Sequence, residues 1–159
     1  MRYLFCLLSV ALLSLNGCRT GPQTELPFQT FVTIPAGLNV GLSHNFNIFD
    51  IEGIPNTEIL KANPAYVRLV VEYGELNTDF IQQAFLYTVK DSTIQEIAYQ
   101  TQLPINNAQF AELYPSLADV KEHITQPRFN LRLKLIFRSI PVTETRLRID
   151  FGFLADVGE

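Results

Sequence analysis

Nucleophilic catalysis requires a serine, threonine or cysteine within hydrogen-bond reach of a base, most often a histidine. The chain has two histidines, His44 and His123. Ser43 precedes His44 in a segment where apolar and polar residues alternate, so their side chains are expected on opposite faces of a strand. Because a nucleophile and its base must lie on the same face, we assign no catalytic residue. The sequence favours a protein that is not an enzyme.

Both histidines have structural explanations. His44 continues an apolar series with Phe46 and Ile48, which predicts a core or sheet-margin histidine bonded to a backbone carbonyl. His123 is expected on the solvent face of a short helix, near its C-terminus, where a cation complements the helix dipole. Residues 50–53 lack the alternating oxygen ligands of a calcium loop, and the sequence has no glycine-rich phosphate loop. We therefore assign no metal or cofactor site.

Cys18 follows a segment that has the features of a secretory signal. Arg2 precedes an apolar run over residues 4–15, and Gly17 directly precedes the cysteine. A basic start, an apolar run and a small residue are the parts of a secretory signal. The run is about 12 residues long, shorter than the ~20 that a transmembrane helix needs. The ending Leu15-Asn16-Gly17-Cys18 resembles the lipobox of bacterial lipoproteins.

The resemblance to bacterial lipoproteins implies export to the cell envelope and a lipid anchor. Residues 1–17 would be removed as the signal peptide, and Cys18 would be acylated, with palmitate among the acyl groups. Two or more acyl chains hold a protein stably to a bilayer. Residues 18–26 would then form the lipidated cysteine and a polar tether, and Arg19 in place of aspartate favours the outer membrane. Because Cys6 would leave with the signal, no intramolecular disulfide is expected.

Alternation of apolar and polar residues dominates the rest of the chain and predicts half-buried antiparallel strands. Seven candidate strands cover residues 28–34, 38–48, 67–73, 80–90, 94–103, 128–138 and 146–153. Asp91-Ser92 is predicted to form a hairpin turn. Ser116 is predicted to cap a short helix that Pro127 ends, and residues 56–62 and 107–113 are each expected to hold one helical turn.

This pattern predicts a single all-β domain over residues 27–159, either an antiparallel β-sandwich or an open barrel, with one to three short helices in the crossovers. The sandwich is the prediction we adopt. The apolar members of the last two strands are expected to be buried in its core. They are Phe129, Leu133, Leu135, Ile149 and Phe151.

Charge is distributed unevenly in a chain whose net charge is −4. Residues 127–153 contain six basic and two acidic side chains, whereas residues 19–126 contain five basic and twelve acidic ones. If the last two strands pair with each other, their outward faces form a basic stripe of Arg132, Lys134, Arg146 and Arg148. Such a stripe would bind an envelope protein, an anionic headgroup or an acidic glycan. The acidic overall balance argues against a nucleic-acid partner.

Cross-strand ion pairs are the alternative explanation of the basic stripe. Neighbouring strands would supply Glu72, Asp79 or Glu96 as partners, and exposed pairs contribute only ~0–1 kcal/mol each. The asparagine-bearing face of residues 39–47 also has two explanations, namely recognition of sugar hydroxyls or local hydrogen bonds to turn backbone. Local bonding is favoured because the chain has no tryptophan to stack on a sugar ring.

Together these features predict a lipid-anchored cell-envelope protein that acts as a non-catalytic binding or assembly module. The alternative is a structural subunit of a larger envelope complex that docks through the basic stripe or through a sheet edge. An enzyme ranks third, and it would require a cleft that holds His44 beside a carboxylate.

Overall fold

A computed structural model describes residues 22–56 and 58–158. The predicted signal segment and Cys18 lie outside the described residues. The described part contains eight strands and one short helix. They are β1 (Gln23–Ile34), β2 (Ser43–Glu52), β3 (Ile59–Tyr73), β4 (Ile81–Lys90), β5 (Thr93–Gln100), β6 (Phe110–Pro115), α1 (Lys121–Ile124), β7 (Arg128–Phe137) and β8 (Thr145–Val157).

All eight strands belong to one antiparallel sheet with the order β1-β8-β3-β6-β5-β4-β7-β2. The sheet curls until its edge strands, β1 and β2, approach each other, and the result is nearly closed and barrel-like. The all-β prediction is confirmed. The two separate layers of the predicted sandwich are instead joined, because β6 pairs with β3 on one side and with β5 on the other.

The alternation read from the sequence correctly identifies the core of the last two strands. Phe129, Leu133, Leu135, Ile149 and Phe151 are all buried. Aromatic rings fill the space between β1, β7 and β8. Phe28 stacks on Phe151 with ring centroids 5.3 Å apart, and it meets Phe129 edge-on at 5.4 Å. The interior is therefore packed with side chains, as expected of a small closed sheet.

Several predicted boundaries shift. Residues 38–42, predicted as strand, form a turn in which Gly41 adopts a left-handed φ of 73°. The extended strand begins only after this glycine, at Ser43, so Val40 and Leu42 are exposed rather than inward-facing. Strand β1 begins at Gln23, inside the predicted tether, because residues 23–26 pair with residues 153–156 of β8.

The two predicted single turns lie partly in strands. Residues 59–62 begin β3, and residues 110–113 belong to β6. The predicted helix is reduced to one turn, Lys121–Ile124, and Ser116 does not cap it. The Ser116 hydroxyl donates to the carbonyl of Glu96 at 2.8 Å, and the Asp119 carboxylate accepts from the Lys121 amide at 3.0 Å. The predicted hairpin turn at Asp91-Ser92 is confirmed, since it joins the paired residues Lys90 and Thr93.

The connections separate into two ends of the sheet. Residues 35–42, 74–80, 101–109 and 138–144 form four loops at one end, which we call the loop end. The first described residue, Pro22, lies at the opposite end, where its carbonyl accepts from the Val157 amide at 3.4 Å. The connection that contains α1 lies at this second end, which we call the terminal end.

Candidate functional site

The four predicted stripe residues do not form one surface. Arg132 and Lys134 lie on β7, whereas Arg146 and Arg148 lie on β8. Strands β7 and β8 are not neighbours, since β7 lies between β4 and β2 while β8 lies between β1 and β3. The expected pairing of the last two strands is therefore wrong. The loop between them crosses from one half of the sheet to the other.

The two arginines of β8 are paired with carboxylates. Arg148 donates from Nε to both oxygens of Asp150, at 3.0 and 3.1 Å, and from Nη1 to Glu72 at 3.0 Å. The hydrogen bond to Asp150 contributes most to raising the pKa of the Arg148 guanidinium, and the hydrogen bond to Glu72 raises it further. Arg146 lies 3.8 Å from Glu72 and packs over the ring of Phe31 at 4.2 Å. Of the partners suggested by the sequence, Glu72 is thus the one used on β8.

The two cations of β7 contact uncharged side chains instead of carboxylates. Arg132 donates from Nε to the side-chain oxygen of Asn47 at 2.9 Å. Lys134 lies over the ring of Phe85, 5.0 Å from its centroid. Asn47 belongs to the asparagine-bearing face, so at least this amide serves a cross-strand hydrogen bond, as the local-bonding explanation expects.

A row of polar side chains crosses the outer face of four strands. Cross-strand register places Gln29 of β1 opposite Asp150, Asp150 opposite Arg68 of β3, and Arg68 opposite Glu112 of β6. Gln29 donates to Asp150 at 2.9 Å. Arg68 donates to Glu112 at 2.7 Å. The row therefore alternates donors and acceptors, with hydrogen bonds between Gln29 and Asp150 and between Arg68 and Glu112.

A groove of about 580 Å³ lies over β3 and β6 beside this row. We call it the outer groove. The residues that line it include Tyr66, Arg68, Phe110, Glu112 and Tyr114. Arg68 also packs over the ring of Phe110, 4.9 Å from its centroid. Phe110 and Tyr114 remain exposed, so the groove offers aromatic surface together with an ion pair.

Tyr66 rests on a glycine at one side of the outer groove. A Cβ atom added to Gly152 of the neighbouring strand would collide with the Tyr66 ring, at 2.9 Å from its Cζ atom. Burial raises the pKa of the Tyr66 hydroxyl, and the nearby carboxylates of Glu25 and Asp150 raise it further. Tyr66 therefore remains a neutral hydroxyl that can donate a hydrogen bond.

Sequence reasoning missed the outer groove. The outward parity of Tyr66 and Arg68 was visible once β3 was recognised, because polar residues on a strand face alternate with the buried ones. Phe110 and Glu112 were hidden because residues 107–113 were interpreted as a helical turn. A six-residue strand that ends at a proline gives a weak signal.

The histidines differ from each other. His44 lies at the sheet margin, where its Nε2 is 2.9 Å from the carbonyl oxygen of Asn39 and its ring packs against Phe137 at 5.3 Å. The prediction for His44 is confirmed. His123 was predicted on the solvent face of the helix, and this prediction is wrong because its side chain is buried. Its Nδ1 has no hydrogen-bond partner among the residues that the structure describes.

Within residues 22–56 and 58–158, no group of three or more His, Cys, Asp or Glu side chains is placed to hold a metal ion. In the same part of the chain, the structure contains no helix with the length and apolarity needed to span a membrane. No protein-family model matches the chain, and no curated protein matches its sequence.

Proposed function

We propose that this chain is a lipid-anchored protein of the bacterial cell envelope whose β domain is a non-catalytic module for binding or assembly. The signal-like residues 1–17 and Cys18 support the anchor, with the outer membrane as its location. The β domain supports a role at its surface, because the interior is filled by packed rings such as Phe28, Phe129 and Phe151.

The observation that carries the binding role is the outer groove. Binding sites combine aromatic surface with a few placed polar groups. Phe110 and Tyr114 supply exposed aromatic surface, and Arg68 and Glu112 supply donors and acceptors at the same place. The ion pair is held at 2.7 Å on two adjacent strands, so these groups are positioned before a partner arrives.

The binding role is tested by purifying the full-length protein from its native membranes in mild detergent. We expect a stoichiometric companion molecule with the wild type and at least a tenfold loss of it in Arg68→Glu. Arg128→Glu is the matched control, because Arg128 is an exposed cation on a different strand, 3.7 Å from Asp50. A wild-type protein that elutes alone, or an Arg68→Glu variant that retains the companion, would contradict the role of the groove.

The second candidate function is a structural subunit that docks through its sheet edges. Strands β1 and β2 are the two edges of the nearly closed sheet. A groove of about 610 Å³ runs between residues 31–33 of β1 and residues 45–49 of β2. Edge strands present backbone N–H and C=O groups to which an extended segment can add as a further strand.

Substitutions distinguish the two candidates. Phe49 is an exposed aromatic residue at the edge groove. If a partner segment binds at the edge groove, Phe49→Lys should release the companion molecule and Arg68→Glu should retain it. If the companion binds in the outer groove, the two variants should behave in the opposite way.

A further inference from the structure

The loop end carries exposed apolar side chains on all four of its loops. We call this surface the apolar tip and define it by Val40, Leu42, Leu76, Ile105, Ile140 and Val142. Leu76 is 85% exposed and Val142 is 77% exposed. Exposed apolar residues on several loops at the same end of a sheet are typical of interaction surfaces.

Hydrogen bonds hold the four loops together. The Gly37 amide donates to the Pro141 carbonyl at 2.8 Å, which joins the first loop to the fourth. The Val142 amide donates to the carboxylate of Glu75 at 2.7 Å, which joins the fourth loop to the second. The Asn106 amide donates to Asp79 at 3.1 Å, which joins the third loop to the second. Loops tied in this way lose little conformational entropy on binding.

The charge of the loop end restricts its partner. Within these four loops, all of which the structure describes, the ionisable residues are Glu75, Asp79, Arg138 and Glu144. The Arg138 guanidinium is committed to the loops themselves, since it donates to the carbonyls of Asp79 and Leu103 at 2.7 and 2.6 Å. Glu75 and Asp79 also accept from loop amides, whereas no partner of the exposed Glu144 carboxylate is found among the described residues. The four loops thus carry three carboxylates against one guanidinium, and the tip presents apolar side chains beside Glu144.

This combination disfavours two occupants. Surfaces that bind anionic bilayers are rich in lysine and arginine, which the tip does not offer. Two copies of the tip would bring like charges together, which opposes association at that surface. A different protein with an apolar socket and lysine or arginine side chains at its rim is complementary in both respects.

The apolar tip lies at the opposite end of β1 from the part of the chain that leads to Cys18. Strand β1 contains 12 residues, which at ~3.3 Å each separate its two ends by ~40 Å. Residues 19–22 can add at most ~3.6 Å each between Cys18 and the strand. If Cys18 carries the lipid, as the proposed function holds, the apolar tip lies at the opposite end of the domain from the anchor.

We infer that the apolar tip is a docking surface for a second envelope protein that presents an apolar socket with a basic rim. The inference adds a second binding surface beyond the outer groove, and it rests on the proposed function only for the lipid anchor at Cys18. It also commits to the chemistry of the partner.

Site-specific photo-crosslinking of the full-length protein in its native cells tests the inference. A photoreactive amino acid replaces Leu76 or Val142 at the tip, and Leu117 serves as the matched control because it is 95% exposed at the terminal end. We expect Leu76 and Val142 to yield the same discrete adduct with one other polypeptide, and Leu117 to yield none of it. That polypeptide is then purified and its affinity for the protein is measured.

The purified pair gives the decisive measurement. We expect Val142→Asp to weaken the affinity at least tenfold and Glu144→Lys to weaken it at least threefold, whereas Leu117→Asp leaves it unchanged. The melting temperature should be unaltered in all three variants, because the substituted side chains are exposed. Salt should weaken wild-type binding, because the basic rim faces carboxylates.

Other outcomes would overturn the inference. An adduct of twice the chain mass would show a second copy at the tip. Flotation with anionic phosphatidylglycerol vesicles that is lost in Val142→Asp would show a bilayer surface. Photoreactive residues are also placed at Phe110 in the outer groove and at Phe49 in the edge groove. Crosslinks from either of these positions, without any from the tip, would overturn the inference and leave the proposed binding role intact. No crosslink from any of these positions would overturn both.

Discussion

The aromatic ring of Tyr66 on β3 occupies the space above Gly152 on β8 that a side chain would otherwise fill. The two residues are placed by the register of the adjacent strands. A glycine in the interior of a strand marks a close approach of another group, and here the group is a ring that lines the outer groove. Sheet pairing and groove shape are therefore linked through this contact.

The contact predicts a coupled effect of two substitutions. Gly152→Ala should lower the free energy of unfolding by about 1–3 kcal/mol, because the added methyl group forces the Tyr66 ring or the strand to move. In a Tyr66→Ala background, the same substitution should cost little or be stabilising. Denaturant unfolding of the four proteins in a double-mutant cycle measures the coupling. Equal effects of Gly152→Ala in both backgrounds would show that the ring does not fill this space.

Phe151 is predicted to be a main contributor to the core. Its ring is fully buried and packs against Phe28, Phe129 and Phe153. Phe151→Ala should therefore lower the free energy of unfolding by about 3–5 kcal/mol. Phe49→Ala is the control, because Phe49 is exposed and surface substitutions usually change stability by less than about 0.5 kcal/mol. A melting temperature unchanged by Phe151→Ala would mean that the register of β8 is wrong by one residue.

The ion pairs of β8 predict how charge reversal will act. Arg148→Glu should lower the melting temperature, because the new carboxylate faces Glu72 and Asp150. Arg132→Glu should have a smaller effect, since Arg132 donates to the neutral side chain of Asn47. A thermal melt beside a titration with anionic vesicles tests both expectations. If Arg148→Glu abolished vesicle binding without affecting stability, Arg148 would belong to a docking surface rather than to a structural ion pair.

The burial of His123 should make the stability of the domain depend on pH. Burial lowers the pKa of His123 below its ordinary value of 6.5; Lys90 lowers it further, and Glu122 opposes the shift. Between the lowered pKa and 6.5 the unfolded chain binds more protons at this residue than the folded chain does. This contribution to stability is therefore present above pH 6.5 and is lost as the pH falls towards the folded-state pKa.

The measurement is denaturant unfolding of the wild type and His123→Gln at several pH values from 7.5 to 5. The variant should lose less stability over this range than the wild type. An identical slope in the wild type and His123→Gln would contradict the assignment to His123.

The sequence was sufficient to predict the all-β class and the buried face of the last strands. Alternation is a local property, and Phe129 and Phe151 were correctly assigned from it. Which strands are neighbours is a global property. Consecutive strands usually pair, and nothing in residues 138–144 shows that this loop crosses the sheet. The basic stripe was wrong for that reason, although Glu72 was correctly named among its candidate partners.

The surfaces were predictable only in part. The lone buried His123 was assigned to solvent because a one-turn helix has too few residues for its buried face to be recognised. The apolar tip was missed because Val40 and Leu42 were assigned to a strand face, whereas the left-handed Gly41 turns them outward. Apolar residues in loops carry no periodic signal, so only the structure brings Leu76 and Val142 to the same end.

Metabolic labelling with a palmitate analogue tests whether the domain is held at a membrane through Cys18, as we propose. The wild-type protein should become labelled and should sediment with the membrane fraction. Cys18→Ser should lose the label and leave that fraction, while its β domain melts at the wild-type temperature. An unlabelled wild-type protein recovered in the soluble periplasmic fraction would contradict the claim.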